Sequence, residues 1–173
     1  MRNMRNLPRL GLLAASAALL VSGALTTAPP ASAASDDAIS GQDNWRDDWW
    51  NEGTISTSSY SYSNVAAMWQ QILWADGLLE WSEIDCRFGR DTRQATIWWQ
   101  QYKEIAADGM VGPETFKAAS ERLVAMDGSI RYIGATGNRN INFWRGSDGK
   151  WSMSISGDVK VIWYEKATFK KCT

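Results

Sequence analysis

The residues of this chain that can do acid–base chemistry are carboxylates, because the sequence has no histidine. The lack of imidazole excludes His-ligated zinc centres, catalytic triads with a histidine base, and a cysteine protease pair. One chemistry remains, in which two carboxylates cleave a glycosidic bond. The acids close together in sequence or on neighbouring predicted elements are Glu80, Glu83, Asp85, Glu104, Asp108 and Glu114. The alternative interpretation is that these are solvated surface acids, since no spacing places two of them across a cleft.

Other common chemistries have no signal in the sequence. There is no Walker loop and no dinucleotide-binding glycine fingerprint, and two cysteines without histidine do not make a zinc finger. We therefore predict no cofactor and no metal. A formal net charge of −1 without a basic stripe gives no electrostatic reason to expect nucleic-acid binding.

The tryptophan content of the chain needs an explanation. The chain has 11 tryptophans among 173 residues, far above ordinary usage. Carbohydrate is recognised by aromatic faces and by short polar groups placed around the hydroxyls.

The N-terminus has the pattern of a secretory signal peptide. Arg2, Arg5 and Arg9 precede an apolar run over 10–25, and Ala33 completes a small-x-small cleavage motif. The run is short for a bilayer-spanning helix, although a retained N-terminal anchor is the alternative. Cleavage after residue 33 removes three positive charges and no acid, so the formal net charge falls from −1 to −4. We predict an extracellular protein with no membrane association after signal removal.

Cys86 and Cys172 are the two cysteines of the chain. In an exported protein an isolated pair is most simply one disulfide, which would hold the C-terminus against the segment around Cys86. Two free buried thiols are the alternative.

Three stretches show the apolar spacing of helices: Val65, Met68, Trp69, Ile72 and Leu73, then Ala95, Trp98, Trp99 and Tyr102, then Phe116, Ala119 and Leu123. Ser63 or Asn64 can cap the first helix, and Asp91 is a candidate cap for the second. Gly77 suits the left-handed turn after the first helix, and Pro113 suits the first position of the third. Three short helices with apolar faces must bury those faces against one another.

The loops between these helices carry a recognisable motif. It reads Asp-x-x-Phe-Gly-x-x-Thr over 85–92, Trp-Gln at 99–100 and Asp-Gly-x-Val-Gly-Pro-x-Thr over 108–115. In this joint spacing the chain resembles the peptidoglycan-binding domain 1 family over residues 63–123. Two positions depart from the family pattern. Cys86 stands where Gly is usual, which suggests a disulfide built into the loop, and Trp69 stands where Gln is usual.

The resemblance implies attachment to bacterial cell-wall peptidoglycan, through a groove near the loops and helix ends. Carried over by motif position, the candidate contacts are Asp85, Arg87, Phe88 and Arg90 in the first loop and Asp108, Met110 and Val111 in the second. Phe88 and Val111 can instead be core residues, and Asp85 can bond its own loop backbone.

The tryptophans divide between core and surface on the same comparison. Trp98 and Trp99 point about 100° apart on a helix, so at least one can be buried. Trp99 matches the aromatic residue that precedes Gln in the family and is expected in the core. Trp98, with Trp74 and Trp81, is then a candidate for sugar stacking.

The segments on either side of the helices differ in pattern. Residues 34–62 are polar with inserted aromatics and read as a linker, whose turn around Trp49 either docks on the body or forms a sugar-stacking patch. After Asp127-Gly128 the period changes to alternation, over 129–133, 141–145, 151–155 and 159–164. We predict three or four antiparallel strands there, packed on the helices.

The predicted fold class is α+β, with a three-helix peptidoglycan-binding-like bundle followed by a small antiparallel β-meander. The predicted divisions are a signal peptide over 1–33, a linker over 34–62, a helical domain over 63–126 and a β appendage over 127–173. The predicted function is a secreted, monomeric, non-catalytic peptidoglycan-binding protein associated with the cell wall. The alternatives are a carboxylate-based cell-wall glycan hydrolase and a secreted protein-binding or inhibitor module.

Overall fold

The computed structural model describes residues 38–172, and the predicted signal peptide lies outside them. The described chain contains three α-helices, five β-strands and two 3₁₀ helices. The helices are α1 (Asn64–Ala75), α2 (Arg90–Tyr102) and α3 (Pro113–Ser120). The strands are β1 (Leu123–Met126), β2 (Ser129–Ile133), β3 (Asn140–Arg145), β4 (Trp151–Ile155) and β5 (Asp158–Val161), and the 3₁₀ helices are Trp81–Glu83 and Lys170–Cys172. The predicted α+β class is confirmed.

Helix α1 is buried on nearly all sides. The Ser63 hydroxyl caps it by accepting a hydrogen bond from the Ala66 N–H at 3.0 Å, and Gly77 follows its C-terminus with the predicted left-handed backbone. Every residue of α1 except Trp74 is buried. A helix enclosed in this way is a core element rather than an amphipathic surface helix.

Helices α2 and α3 pack against α1 through aromatic rings. Trp69 of α1 lies edge-on to Trp99 of α2, with ring centroids 5.1 Å apart, and to Phe116 of α3 at 6.3 Å. Trp99 is fully buried and Trp98 is exposed, as expected from their positions. The predicted cap of α2 was wrong, because the helix starts two residues earlier than a cap at Asp91 requires: Gly89 is its N-cap, and Asp91 lies in its first turn.

The five strands form one antiparallel sheet in which each strand pairs with the next along the chain. The predicted count of three or four was low, because β1 had been assigned to the end of the third helix. That helix ends at Ser120, and Leu123 pairs with Tyr132 of β2 instead of continuing the helical stripe. Leu123–Met126 forms a hairpin with β2 through a turn at Asp127-Gly128, where Gly128 has the positive φ that the tight turn requires.

The sheet and the helices share one hydrophobic core. The inward residues alternate along the strands, as in Trp151, Met153 and Ile155 of β4. The Gln71 side chain on α1 donates to the backbone carbonyl of Ser154 on β4 at 3.0 Å. The packing of the sheet on the helical body is therefore as predicted.

Residues 38–62 contribute to this core, in contrast to the linker that their composition suggested. Trp49 is fully buried, and its ring lies 5.4 Å from that of Phe143 and 5.3 Å from that of Trp151. The buried Asp48 carboxylate accepts a hydrogen bond from the Trp151 indole N–H at 2.7 Å and lies 2.7 Å from Arg145 Nε. Of the two predicted alternatives for the turn around Trp49, docking on the body is the one observed for this indole.

The predicted disulfide between Cys86 and Cys172 is present, with Cα atoms 5.4 Å apart. It joins the loop before α2 to the last 3₁₀ helix across a sequence separation of 86 residues. In a chain-entropy view, a cross-link over so long a loop stabilises the fold by restricting the unfolded ensemble.

A buried carboxyl, Glu52, also holds the N-terminal segment in place. One of its oxygens accepts a hydrogen bond from the Tyr164 hydroxyl at 2.8 Å, and the other accepts one from the Ser40 N–H at 3.2 Å. Burial outweighs these hydrogen bonds and raises the pKa of Glu52 from 4.5 to about 7. The folded chain therefore retains this proton at a pH where the unfolded chain has lost it.

We expect the free energy of unfolding to fall as pH rises from about 4.5 to 7. A carboxyl whose pKa is raised on folding contributes stability that is fully present below its unfolded pKa and is lost as pH passes the folded value. The size of this contribution is about 3 kcal/mol. Glu52→Gln, which stays neutral and can keep the contact with Tyr164, should remove this part of the pH dependence and be the more stable chain at pH 8.

The measurement is urea denaturation of both chains at pH 5 and pH 8. Glu165→Gln, at an exposed position, is the matched control and should follow the wild type. An equal loss of unfolding free energy in wild type and Glu52→Gln would show that Glu52 is already ionised in the folded chain at pH 5.

Candidate functional site

The loop between the first 3₁₀ helix and α2 is held from beneath by a buried glutamine of α1. Gln70 Oε1 accepts hydrogen bonds from the Asp85 N–H at 3.1 Å and the Cys86 N–H at 2.9 Å. Its Nε2 donates to Asp85 Oδ1 at 2.8 Å and to the Arg87 carbonyl at 3.0 Å. The amide of one side chain therefore substitutes for water along the buried side of the loop.

The loop between α2 and α3 is held in the same way by Gln100. Its Oε1 accepts from the Gly109 N–H at 2.9 Å, and its Nε2 donates to Asp108 Oδ1 at 3.1 Å and to the Met110 carbonyl at 2.7 Å. Asp108 Oδ1 also accepts from the Met110 N–H at 2.8 Å, which closes an Asx-type turn. Asp85 makes the equivalent bond to the Arg87 N–H at 2.9 Å, so its predicted backbone role is observed.

The two loops are an internal repeat, which the sequence analysis missed. Each unit has Trp-Gln on a helix followed by Asp-x-x-apolar-Gly-x-x-Thr, at 69–70 with 85–92 and at 99–100 with 108–115. Gln70 has the same place in the first unit as Gln100 has in the second. The glutamine that the family pattern led us to expect at position 69 is therefore present at position 70, directly after Trp69. Cys86 has φ of 66° where Gly109 has 73°, which shows why glycine is usual there.

Most of the predicted contact residues lie at the surface. The exposed ones are Asp85, Arg87, Arg90, Trp98, Asp108 and Met110. Phe88 and Val111 are instead buried in the core, where they anchor the two loops, which is the alternative interpretation of these two residues. Among the exposed residues, the five that lie on or beside the loops, namely Asp85, Arg87, Arg90, Asp108 and Met110, are called the two-loop surface below.

Two features connect the loops. The segment between Ile55 and Tyr62 pairs with both of them, through bridges from Ile55 to Val111 and from Tyr62 to Arg87. The Arg93 guanidinium on α2 donates to the Asp108 carbonyl at 3.2 Å. The loops are therefore linked both through α2 and through this extended segment.

Arg87 is the most firmly positioned cation of the two-loop surface. Its guanidinium carbon lies 4.2 Å from the centroid of the Tyr62 ring. The Tyr62 hydroxyl donates to the Cys172 carbonyl at 2.7 Å, beside the disulfide. Arg90 contacts Asp91 at 3.3 Å, but both side chains are largely in water, so that pair adds little.

The three candidate stacking tryptophans are not brought together. Trp74 and Trp81 are in contact, with ring centroids 4.8 Å apart. Trp98 lies on the outer face of α2 and is 51% exposed, next to Tyr102, which is 70% exposed. The adjacent placement of Trp98 and Tyr102 follows from their spacing of four residues on the helix.

Three of the six acids named for the hydrolase alternative hold loop backbone. Asp85 and Asp108 bond the glutamines and their own loop backbones, and the Glu83 carboxylate accepts from the Glu80 N–H at 2.6 Å. Within residues 38–172, no group of three or more Cys, Asp or Glu side chains is placed to hold a metal ion. Nor does that part of the chain contain a helix with the length and apolarity to cross a membrane.

Comparison with known proteins agrees with the motif-based resemblance. Residues 62–119 match the family model described as a putative peptidoglycan binding domain. The match extends from Tyr62 into α3 and contains both glutamine-held loops. No curated protein and no solved structure matches the chain.

We expect Gln100→Leu to destabilise the fold by about 3 kcal/mol, because it leaves buried polar groups of the second loop without partners. Gln101→Leu, at the exposed neighbouring position, should change the free energy of unfolding by less than about 0.5 kcal/mol. Urea denaturation of the two variants and the wild type is the measurement. If the two substitutions cost the same, the second loop does not depend on the buried amide.

Proposed function

We propose that this chain is a secreted, monomeric, non-catalytic protein that binds bacterial peptidoglycan through the two-loop surface and stays associated with the cell wall. The observation that carries the proposal is the family match over residues 62–119. The predicted signal peptide and the disulfide support an extracellular location, since disulfides persist in oxidising compartments.

The two-loop surface has the chemistry to bind the peptide part of such a polymer. The exposed guanidinium of Arg87 suits a carboxylate, which it can bind through two parallel hydrogen bonds. Gln70 fixes the Arg87 backbone, and Tyr62 supports its side chain. A side chain ordered before binding loses less conformational entropy on contact with the ligand.

The second loop offers a different kind of contact. Met110 is 42% exposed beside the exposed Asp108, so an apolar side chain and a polar one are presented together. The flexible thioether of Met110 can adapt to the methyl groups of short peptides. Met110 and Arg87 thus fit the apolar and the charged groups of a stem peptide respectively.

The absence of catalysis in the proposal rests on how the acids are used. Asp85 and Asp108 have an oxygen bonded to the buried glutamine beneath each loop. Glu52, whose raised pKa of about 7 would suit a general acid, is only 2% exposed, and both of its oxygens accept hydrogen bonds from the fold. These arrangements favour a structural role for the three acids.

One observation favours the second candidate function, a protein-binding module. Trp98 and Tyr102 are both exposed one turn apart on α2, and aromatic residues are enriched at the centres of protein interfaces. In that case a protein would be held through α2 and the wall polymer would not be bound.

The test is sedimentation of the mature protein with purified peptidoglycan sacculi, read for both depletion of protein and loss of turbidity. We expect depletion without loss of turbidity. Arg87→Ala should weaken binding by roughly tenfold or more, since a hydrogen bond between charged groups contributes about 1.5–3 kcal/mol. Arg87→Lys should recover only part of the loss, because an ammonium lacks the planar fork.

Arg46→Ala is the matched control, because Arg46 is also exposed and also lies over an aromatic ring, 4.4 Å from the Trp45 centroid. This variant should sediment as the wild type does. A fall in turbidity would instead indicate the hydrolase. Failure of the wild type to sediment would contradict the proposal, and capture of an extracellular protein that is lost in Trp98→Ala would establish the second candidate.

A further inference from the structure

A second surface of this chain has the features of a ligand site. A groove of about 280 Å³ lies where the C-terminal half of α1 and the first 3₁₀ helix meet strands β3 and β4. The lining includes Gln71, Trp74, Trp81, Asn140, Asn142 and Trp144. We call it the tryptophan groove. It shares no residue with the two-loop surface.

The buried wall of the groove contains a hydrogen-bond acceptor without a partner. Gln71 is 2% exposed, and its Nε2 donates to the Ser154 carbonyl at 3.0 Å. Its Oε1 is buried and accepts no hydrogen bond within the described chain. A buried polar atom left in this state costs about 1–3 kcal/mol, so a ligand that donates to it recovers that free energy.

The opposite wall supplies hydrogen-bond donors. Asn140 and Asn142 are two residues apart on β3, so they lie on the same face of the strand, and both are exposed. The oxygen of Asn142 accepts from Arg131 Nε at 2.9 Å, and that of Asn140 accepts from the Gly134 N–H at 3.4 Å. With the oxygens used by the fold, the two NH₂ groups are the atoms left to donate to a ligand.

Three half-buried indoles also line the groove. The Trp74 and Trp81 rings meet at 67°, and Trp144 lies next along the exposed face of β3 after Asn142. Arg139 and Lys171 lie over the rings of Trp74 and Trp81, at 5.4 Å and 5.8 Å from their centroids. No charged side chain is part of the lining itself, so the groove suits a neutral ligand.

We propose that the tryptophan groove binds one N-acetylated hexose unit of a glycan chain. An acetamido group has one N–H for the Gln71 oxygen, one carbonyl for an asparagine NH₂, and a methyl group for an indole face. The pyranose ring presents C–H surfaces to the other indoles. The volume of about 280 Å³ lies just below the range of drug-sized sites, roughly 300–1,000 Å³, and suits a single sugar ring.

A proline-rich peptide is the other occupant that an aromatic groove suggests. It fits less well, because prolines have no N–H to donate to the Gln71 oxygen. The inference deepens the proposed function and rests on it for the biological source of the sugar, since N-acetylated hexosamines form the glycan strands of peptidoglycan.

The test is a titration of the mature protein, followed by tryptophan fluorescence and calorimetry. The probe is a β-1,4-linked tetramer of N-acetylglucosamine, and the matched ligand is the glucose tetramer, which lacks the acetamido group. Neither ligand carries a stem peptide. We expect the acetylated tetramer to bind and the glucose tetramer to bind at least about tenfold more weakly.

Trp144→Ala and Gln71→Leu should each weaken binding of the acetylated tetramer by about tenfold or more. Trp50→Ala, which removes an exposed indole outside the groove, should leave it unchanged. Circular dichroism shows whether each variant is folded. Because Gln71 is buried and its variant can fail to fold, Trp144→Ala decides the result in that case.

The inference is overturned if the acetylated tetramer does not bind, if the glucose tetramer binds equally well, if Trp144→Ala has no effect, or if a proline-rich peptide binds in place of the sugar. Its failure is distinct from failure of the proposed function. Sacculi that retain the protein while the tetramer does not bind leave the two-loop surface as the binding site. Tetramer binding without sedimentation on sacculi would support the groove as a sugar site and contradict the proposed function.

Discussion

The burial of α1 is the constraint on which the rest of the structure depends. A helix surrounded by protein must satisfy its polar side chains internally, and α1 carries three that face different parts of the chain. Asn64 donates to the Val161 carbonyl at the end of β5 at 2.6 Å, Gln70 holds the first loop, and Gln71 bonds β4. Hydrogen bonds that have to be made inside the core thus determine where the sheet and the loop lie relative to α1.

The two loops have the same backbone turn over a buried glutamine, but only the first is also held by a disulfide. Both place a left-handed residue over a buried amide, and glycine is the residue that adopts this conformation without strain. The second loop uses Gly109, whereas the first uses Cys86 and gains a covalent link to the C-terminus. That link brings the Cys172 carbonyl to the Tyr62 hydroxyl, so the surface around Arg87 depends on the C-terminal end of the described chain.

Periodicity was enough to predict the elements whose burial is one-sided, namely α2 and strands β2 to β4. It failed where a short apolar run fits two periods, as in Leu123–Met126, and where polar composition hides burial, as around Trp49. The motif identified the loops but not the role of Gln70, because the repeat that relates Gln70 to Gln100 is visible only when the two Trp-Gln pairs are compared. The tryptophan groove was out of reach, since Gln71 and Trp144 are far apart in sequence and meet only through the packing of β3 and β4 on α1.

The two surfaces differ in chemistry in a way that fits the two parts of the proposed ligand. The two-loop surface is charged and lies within the family-matched segment, whereas the tryptophan groove is neutral and needs the sheet that follows that segment. A polymer that alternates glycan and peptide can engage both at once, and the second contact is then intramolecular, so modest affinities combine. The sheet, which completes the core around α1, also supplies one wall of the groove. A chain reduced to the matched segment would therefore lose the proposed site for the glycan, while it would keep the residues proposed to contact the peptide.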